Sequence, residues 1–459
     1  MSKEETAQNG EAVAQASVFT PLYRTIWRWH FYAGLFVLPF MILLAVTGGL
    51  YLFKDELNSL VYGRYLNVAP VDGPLLKPSE IVAKASGSIA GEIRAYIPPT
   101  SADGSAAVSI KTAEAGKQRV YVNPYTGEVL GQLEDGGFAR SPLMLLVRKL
   151  HSLAKFGDMP NRIIEIVGGW AMILVATGFF LWWPRQRKEG VFTIRTKAPS
   201  RTLWRDVHVV TGAYAGIVVF FLAITGMPWS GVWGNYVNTY ADQAGLGYPP
   251  EYWNEVPKST VPMKEGMSQT AWALENTPMP VSTPNGLGSI GIDKAVEIIE
   301  GLGIAAGYVV DYPEGAEGVY SASVFPDKVI GEKVIHLDQY TGEALFNGGF
   351  ADLGIVGKSI EWGVSVHMGQ EFGIVNQWGM ALACLALVVM SVAGGVMWWK
   401  RRPVGSLGAP SVPADYRIPR GILVITVIVG VLFPLTGLSV VAVLLIDRFL
   451  PNPLKAKHA

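Results

Sequence analysis

The chain has 459 residues, with 37 Lys and Arg against 37 Asp and Glu, so its net charge is zero and nothing in it argues for nucleic acid. Half of the residues are hydrophobic and 16% are charged. Soluble domains average about 25% charged, so much of this surface does not face water. The one cysteine, Cys384, excludes an internal disulfide or an iron–sulfur centre.

Residues 1–22 are polar and lack the apolar core of a cleavable signal peptide. They read as a disordered cytoplasmic tail. Residues 23–53 begin YRTIWRWH, with Arg24, Trp27, Arg28 and Trp29 ahead of His30. About 20 uncharged residues follow, enough to cross a hydrocarbon core of about 30 Å as a helix. Residues 54–143 are mostly polar and read as a small α+β unit. They hold a short amphipathic helix at 78–86 and a hairpin, RVYVNPYTGEVLG, at 119–131. Residues 144–183 carry MLLVRKLHSLAKFG and a second apolar span ending Trp182-Trp183.

A basic loop, 184–204, leads to a third span at 205–229, and there the pattern starts again. RTLWRDVH places His208 as His30 was placed, and FLAITGM at 221–227 matches LLAVTGG at 43–49. Residues 230–358 form a second α+β unit, with a helix at 289–301 and the hairpin KVIHLDQYTGEAL at 333–345. Residues 359–399 carry SIEWGVSVHMGQEFG and a fourth span ending Trp398-Trp399. His151 and His367 share the spacing His-x4-Phe-Gly. A loop at 400–419, a fifth span at 420–446 with Pro434 in its middle, and a tail at 447–459 stand outside the duplication.

The fold class expected is therefore an α-helical membrane protein. A duplicated two-span module makes a four-helix bundle, with one extra C-terminal span and two small α+β domains. Lys and Arg cluster before the first span (Arg24, Arg28), in the loop after the second (Arg185, Arg187, Lys188, Arg195, Lys197, Arg201, Arg205), after the fourth (Lys400, Arg401, Arg402) and before the fifth (Arg417, Arg420). All of these fall on one side if the N-terminus is cytoplasmic, which puts the α+β units and the C-terminal tail outside. Arg148, Lys149 and Lys155 oppose this.

Four of the six histidines occupy matched places near span ends. Pseudo-symmetric packing pairs His30 with His208 at one face and His151 with His367 at the other. Facing neutral imidazoles hold a haem iron from both sides, so a bis-histidyl haem is expected at each pair. Gly34, Gly48, Gly49, Gly212, Gly216 and Gly226 leave room for a flat macrocycle, and Arg28, Arg205 and Arg148 are placed to meet propionates. A single interfacial histidine is more often an anchor, but four at matched places in a repeat favour ligands. Zinc or copper is disfavoured, because two histidines per face leave ligands missing. His336 and His458 receive no role. The aromatics between Trp229 and Trp272 (Trp233, Tyr236, Tyr240, Tyr248, Tyr252, Trp253) are read as packing, with a docking surface as the alternative. Gly286, Gly288 and Gly291 match a dinucleotide pattern but follow a Pro-rich stretch, and read as a turn into a helix.

The paired YTGE hairpins, with His-bearing spans ending WWPRQRK and WWKRRP, resemble the PepSY-associated transmembrane family, which includes siderophore-iron reductases. The resemblance covers about residues 20–403 and does not reach the fifth span. It implies two b haems held by His30, His208, His151 and His367 in a bacterial inner-membrane bundle. It also implies PepSY domains in the periplasm and outward electron transfer to ferric siderophore iron or another periplasmic acceptor. The donor is left open among quinol, reduced flavin and a separate cytoplasmic protein. Two other classes compete. One is a PepSY binding or regulatory module that needs no haem. The other is a transporter, ranked last because no charge is read inside the spans and only Pro434 breaks one.

Overall fold

A run of Ala, Glu and Gln favours helix wherever it occurs, and the polar N-terminal residues continue directly into the first apolar span. The computed structural model describes residues 3–183, 190–248, 256–286, 288–402 and 420–449. In it α1 runs unbroken over Lys3–Leu52. The expected disordered tail is therefore helical, at least in backbone. Arg185, Arg187, Lys188, Tyr252, Trp253, Arg417 and His458 lie outside the described residues. The chain divides into two units, 1–49 with 151–234 and 381–459, and 50–150 with 235–380.

Among the described residues, four helices are long and apolar enough to cross a membrane. Their spanning stretches are Ile26–Leu52 of α1, Asp158–Trp182 (α5), Ser200–Trp229 (α6 with the short turn that ends it) and Ile374–Arg401 (α11). Two shared cores hold them. Ala33 and Val37 of α1 pack with Val167, Trp170 and Ile173 of α5. Ala45 of α1 packs with Ala215 and Val219 of α6 and Leu387 of α11.

The fifth span is not one helix. Proline has no N–H to continue a ladder and clashes with the carbonyl four residues back, and the chain breaks there into α12 (Arg420–Leu432) and α13 (Pro434–Phe449). One straight helix would hold residues 430 and 437 about 10 Å apart. Instead their backbones touch: a Cβ on Gly437 would lie 2.6 Å from the Gly430 Cα. The segment folds back as a helical hairpin. It packs on α5, where Ser439 accepts the Trp170 indole N–H at 2.9 Å and Thr436 fills the space above Gly169.

In the second unit, α2 (Lys54–Leu66) and α3 (Pro78–Ser88) precede β1 (Glu92–Ile97), β2 (Ala106–Thr112), β3 (Gly116–Val122) and β4 (Val129–Glu134). After α7 (Trp233–Gln243), a two-stranded ribbon of β5 (Lys258–Pro262) and β6 (Pro278–Pro280), and the single turn α8 (Met263–Gly266), the pattern repeats. It consists of α9 (Gly291–Gly301), β7 (Val309–Asp311), β8 (Val319–Val324), β9 (Lys333–Asp338) and β10 (Ala344–Gly349). The two α+β units expected as separate domains form one sheet. Its order, β10-β9-β8-β7-β1-β2-β3-β4, is antiparallel throughout and reads the same from either end. Equivalent strands β1 and β7 meet at the seam, Ala95 opposite Asp311 and Tyr96 opposite Val310. A single apolar core runs under both halves, from Ile81 and Ala85 of α3 to Ala295 and Ile299 of α9. Asp293 of α9 accepts both the backbone N–H and the hydroxyl of Ser79 at the start of α3, each at 2.7 Å.

The hairpin turns are duplicates. Asn123 and Asp338 each accept the N–H groups two and three residues on, at 2.9 and 3.4 Å and at 2.8 and 2.9 Å. Gly127 and Gly342 supply φ of 75° and 74°, which other residues rarely adopt. Three carboxylates gather about α10 (Ile355–His367), Glu361 buried and Glu332 and Glu371 half-buried. Glu361 accepts the Trp272 N–H at 2.7 Å, and Glu371 accepts from Val329 N–H and Ser365 at 3.2 and 3.1 Å. Glu332 lines a small cavity with Tyr248, Leu274 and Phe350. Burial, with Glu361 and Glu371 nearby, holds the Glu332 carboxyl well above the usual carboxylate range.

Candidate functional site: a facing histidine pair

His30 lies one turn into the spanning part of α1, and His208 lies at the matching place in α6. The structure brings them together. Their ring centroids are 6.2 Å apart with planes at 83°. Two imidazoles bound through nitrogen to one metal at about 2 Å each would have centroids roughly 6 Å apart, so His30 and His208 are spaced as two residues that could hold one metal between them would be. The Nδ1 atoms are turned to protein oxygens. His30 Nδ1 lies 2.9 Å from Thr177 Oγ1 of α5, and His208 Nδ1 lies 2.9 Å from the Met390 carbonyl of α11. A carbonyl only accepts, so the proton of His208 sits on Nδ1 and leaves Nε2 bare. This is the tautomer that binds a metal.

Glycines make the space. A Cβ on Gly178 would lie 3.3 Å from His30 Cε1, and one on Gly394 would lie 3.5 Å from His208 Nδ1. Aligning Trp182-Trp183 with Trp398-Trp399 places these glycines at the same repeat position. Neither was among the glycines singled out from the sequence. Of that earlier group, Gly48 faces a histidine, while Gly212 and Gly216 face Met390 and Phe179.

His151 closes α4 (Pro142–His151), and His367 closes α10 (Ile355–His367). In each case a glycine of positive φ, Gly157 or Gly373, precedes the next span. His151 Nδ1 meets Thr47 Oγ1 at 2.8 Å, and a Cβ on Gly48 would lie 3.5 Å from His151 Cε1. Thr47 is seventeen residues beyond His30 on α1, about 25 Å along the axis. His151 and the His30–His208 pair therefore sit at opposite ends of the span. His367 belongs to the other unit.

The arginines are variously engaged. Arg28 lies over the Tyr32 ring at 5.6 Å, and Arg148 over Phe138 at the same distance. Arg205 pairs with its neighbour Asp206 at 2.5 Å, and Arg195 takes the other carboxylate oxygen at 2.7 Å. Asp206 is fully buried.

The reading of charge-free spans is corrected. Glu165 lies inside α5, 2% exposed. Its two oxygens accept the N–H groups of Val232 and Trp233 at 2.9 and 3.0 Å. A carboxylate at the positive end of α7 is stabilised there, so Glu165 is a cap. The aromatic segment is not one surface. Tyr248 and Trp272 are buried, and Trp233 packs on Phe433 at 5.3 Å between ring centres. Tyr236 and Tyr240 are exposed on one face of α7. Gly291, with φ of 78°, opens α9, so the glycine pattern is a turn into a helix. Among the described residues, no three His, Cys, Asp or Glu side chains gather as a metal cluster.

Four apolar spans joined by a duplicated helix-and-sheet unit define a multi-pass membrane protein with a PepSY-like domain. Residues 27–401 match the PepSY-associated TM region, and the chain belongs to that family. No curated protein matches it.

Proposed function

We propose that this protein is a di-haem b reductase of the bacterial inner membrane. It would pass electrons across the bilayer to a periplasmic acceptor, ferric siderophore iron above all. The observation that carries the reading is the His30–His208 pair, with rings 6.2 Å apart and Nδ1 atoms engaged elsewhere. The residues fit the group: a neutral nitrogen from each side, fixed rings, and glycines beside both. The second haem is read from the repeat, on His151, held at Nδ1 in the same way by Thr47, and its match His367.

Haem, when bound, supplies reversible one-electron exchange. The chain's own residues do the rest. Threonine and a backbone carbonyl orient the imidazoles. Apolar side chains of α1, α5, α6 and α11 keep water from them. Arg28, Arg205 and Arg148 supply positive charge for propionates. One electron per iron converts Fe(III) to Fe(II), a softer ion held less tightly by hard oxygen donors, and the metal is released. No acid or base is needed. The donor is quinol, a reduced flavin or a cytoplasmic protein.

A pyridine haemochrome assay on detergent-purified protein tests the reading. About two b haems per chain are expected. His30→Ala and His208→Ala should each remove one, and His151→Ala or His367→Ala the other. Reduced protein should then bleach on adding a ferric siderophore. A folded protein without haem would overturn the proposal and put a binding or regulatory role for the PepSY sheet in its place.

A further inference from the structure

Each histidine whose partner is a threonine meets the same two-residue step. Thr177 Oγ1 donates to the Ile173 carbonyl at 2.8 Å, so it has lone pairs left to accept the His30 Nδ1 proton at 2.9 Å. Thr47 Oγ1 donates to the Leu43 carbonyl at 2.6 Å and accepts from His151 at 2.8 Å. The next residue is glycine both times, set against the Cε1 edge of the same ring. Thr225-Gly226 repeats the dipeptide, and its hydroxyl donates to the Phe221 carbonyl at 2.7 Å.

The fourth position differs. The repeat match of Thr177 is Ala393, which has no hydroxyl. There the Met390 carbonyl takes the His208 proton directly. Met390 is the match of Leu174, whose carbonyl lies 3.2 Å from Thr177 Oγ1. In one half a hydroxyl stands between the imidazole and the helix carbonyl, and in the other it does not.

We propose that the Thr-Gly step is the positioning device of two of the haem-binding histidines, His30 and His151. By it, Thr177 gives His30 a different electronic character from His208 within one site. The inference rests on the haem reading and deepens it. The oxygen that receives the outer proton fixes the ring's rotation and tautomer, and the strength of its pull sets the basicity of the nitrogen that faces the metal. An imidazole with no acceptor is a weaker donor, binds Fe(III) less well and raises the potential.

The test uses Thr177→Val, which keeps the shape but offers no acceptor, with Thr177→Ser and Thr177→Ala beside it. Haem retention is followed by transfer to an excess of a haem-free globin, and potentials by optical titration. For Thr177→Val we expect one haem to be lost 10–100-fold more readily and its potential to rise, the other haem being unmoved. Serine should restore both properties. Alanine, which recreates the arrangement at His208, should fall between. Should Thr177→Val not fold, Thr47→Val asks the same of the other haem. Wild-type retention and potential in a folded valine variant, or equal loss of both haems, would overturn the inference. A wild-type protein without haem would overturn the haem reading itself.

Discussion

An imidazole at the edge of a hydrocarbon layer is costly unless its polar atoms are satisfied, and His30 shows how little is needed to satisfy one. A hydroxyl takes one nitrogen and a glycine leaves space at the neighbouring carbon. Gly178→Val should push the His30 ring from its place, because a Cβ already lies 3.3 Å from Cε1 and valine adds two methyls beyond it. The expected outcome is loss of one haem of two, with the melting temperature little changed, measured by haemochrome and calorimetry. The facing of His30 and His208 was legible, since matched histidines on matched spans meet in a pseudo-symmetric bundle. Thr177 and Gly178 were not. A threonine in an apolar helix ordinarily bonds its own backbone, and which glycine faces a ring depends on helix rotation that the repeat does not record.

Elements followed their local chemistry where that chemistry was strong. The YTGE turns and the helices at α3 and α9 fall where Asn, Asp, Pro and Gly place them. The joining of two hairpin units into one sheet was invisible, because β7 is three residues long and its pairing with β1 is between segments over 200 residues apart. The half-buried Glu332 gives the sheet unit a pH dependence. Glu332 has a reference value of 4.5 and a raised value when folded. It therefore favours the folded state most at pH below 4.5, and that contribution is lost as pH rises through the raised value. Glu332→Gln should raise the melting temperature at pH 8 and leave it nearly unchanged at pH 4, about 2–4 °C for each kcal/mol regained. An equal shift at both values would rule out charge as the cause.

At the scale of the molecule, composition and hydropathy marked the membrane class, and the repeat marked the architecture, but both overstated the last segment. Twenty-seven residues at 420–446 are long enough on paper to cross. At Pro434 the segment breaks into helices of 13 residues (Arg420–Leu432) and 16 residues (Pro434–Phe449), about 20 and 24 Å long. Gly430 and Gly437 let the backbones touch where the chain turns. A segment that enters and returns does not change sides, and from this hairpin we predict an even number of crossings. On that prediction the two termini would share a compartment, and one antibody or one impermeant reagent would reach both or neither. Epitope tags at residue 1 and residue 459 should be digested together by protease added from the cytoplasmic side of inverted vesicles. Protection of the C-terminal tag alone would restore the fifth crossing. If the tags behave alike, a soluble electron donor fused to the C-terminus is delivered to the same face as one fused to the N-terminus, and either end of the chain can be wired.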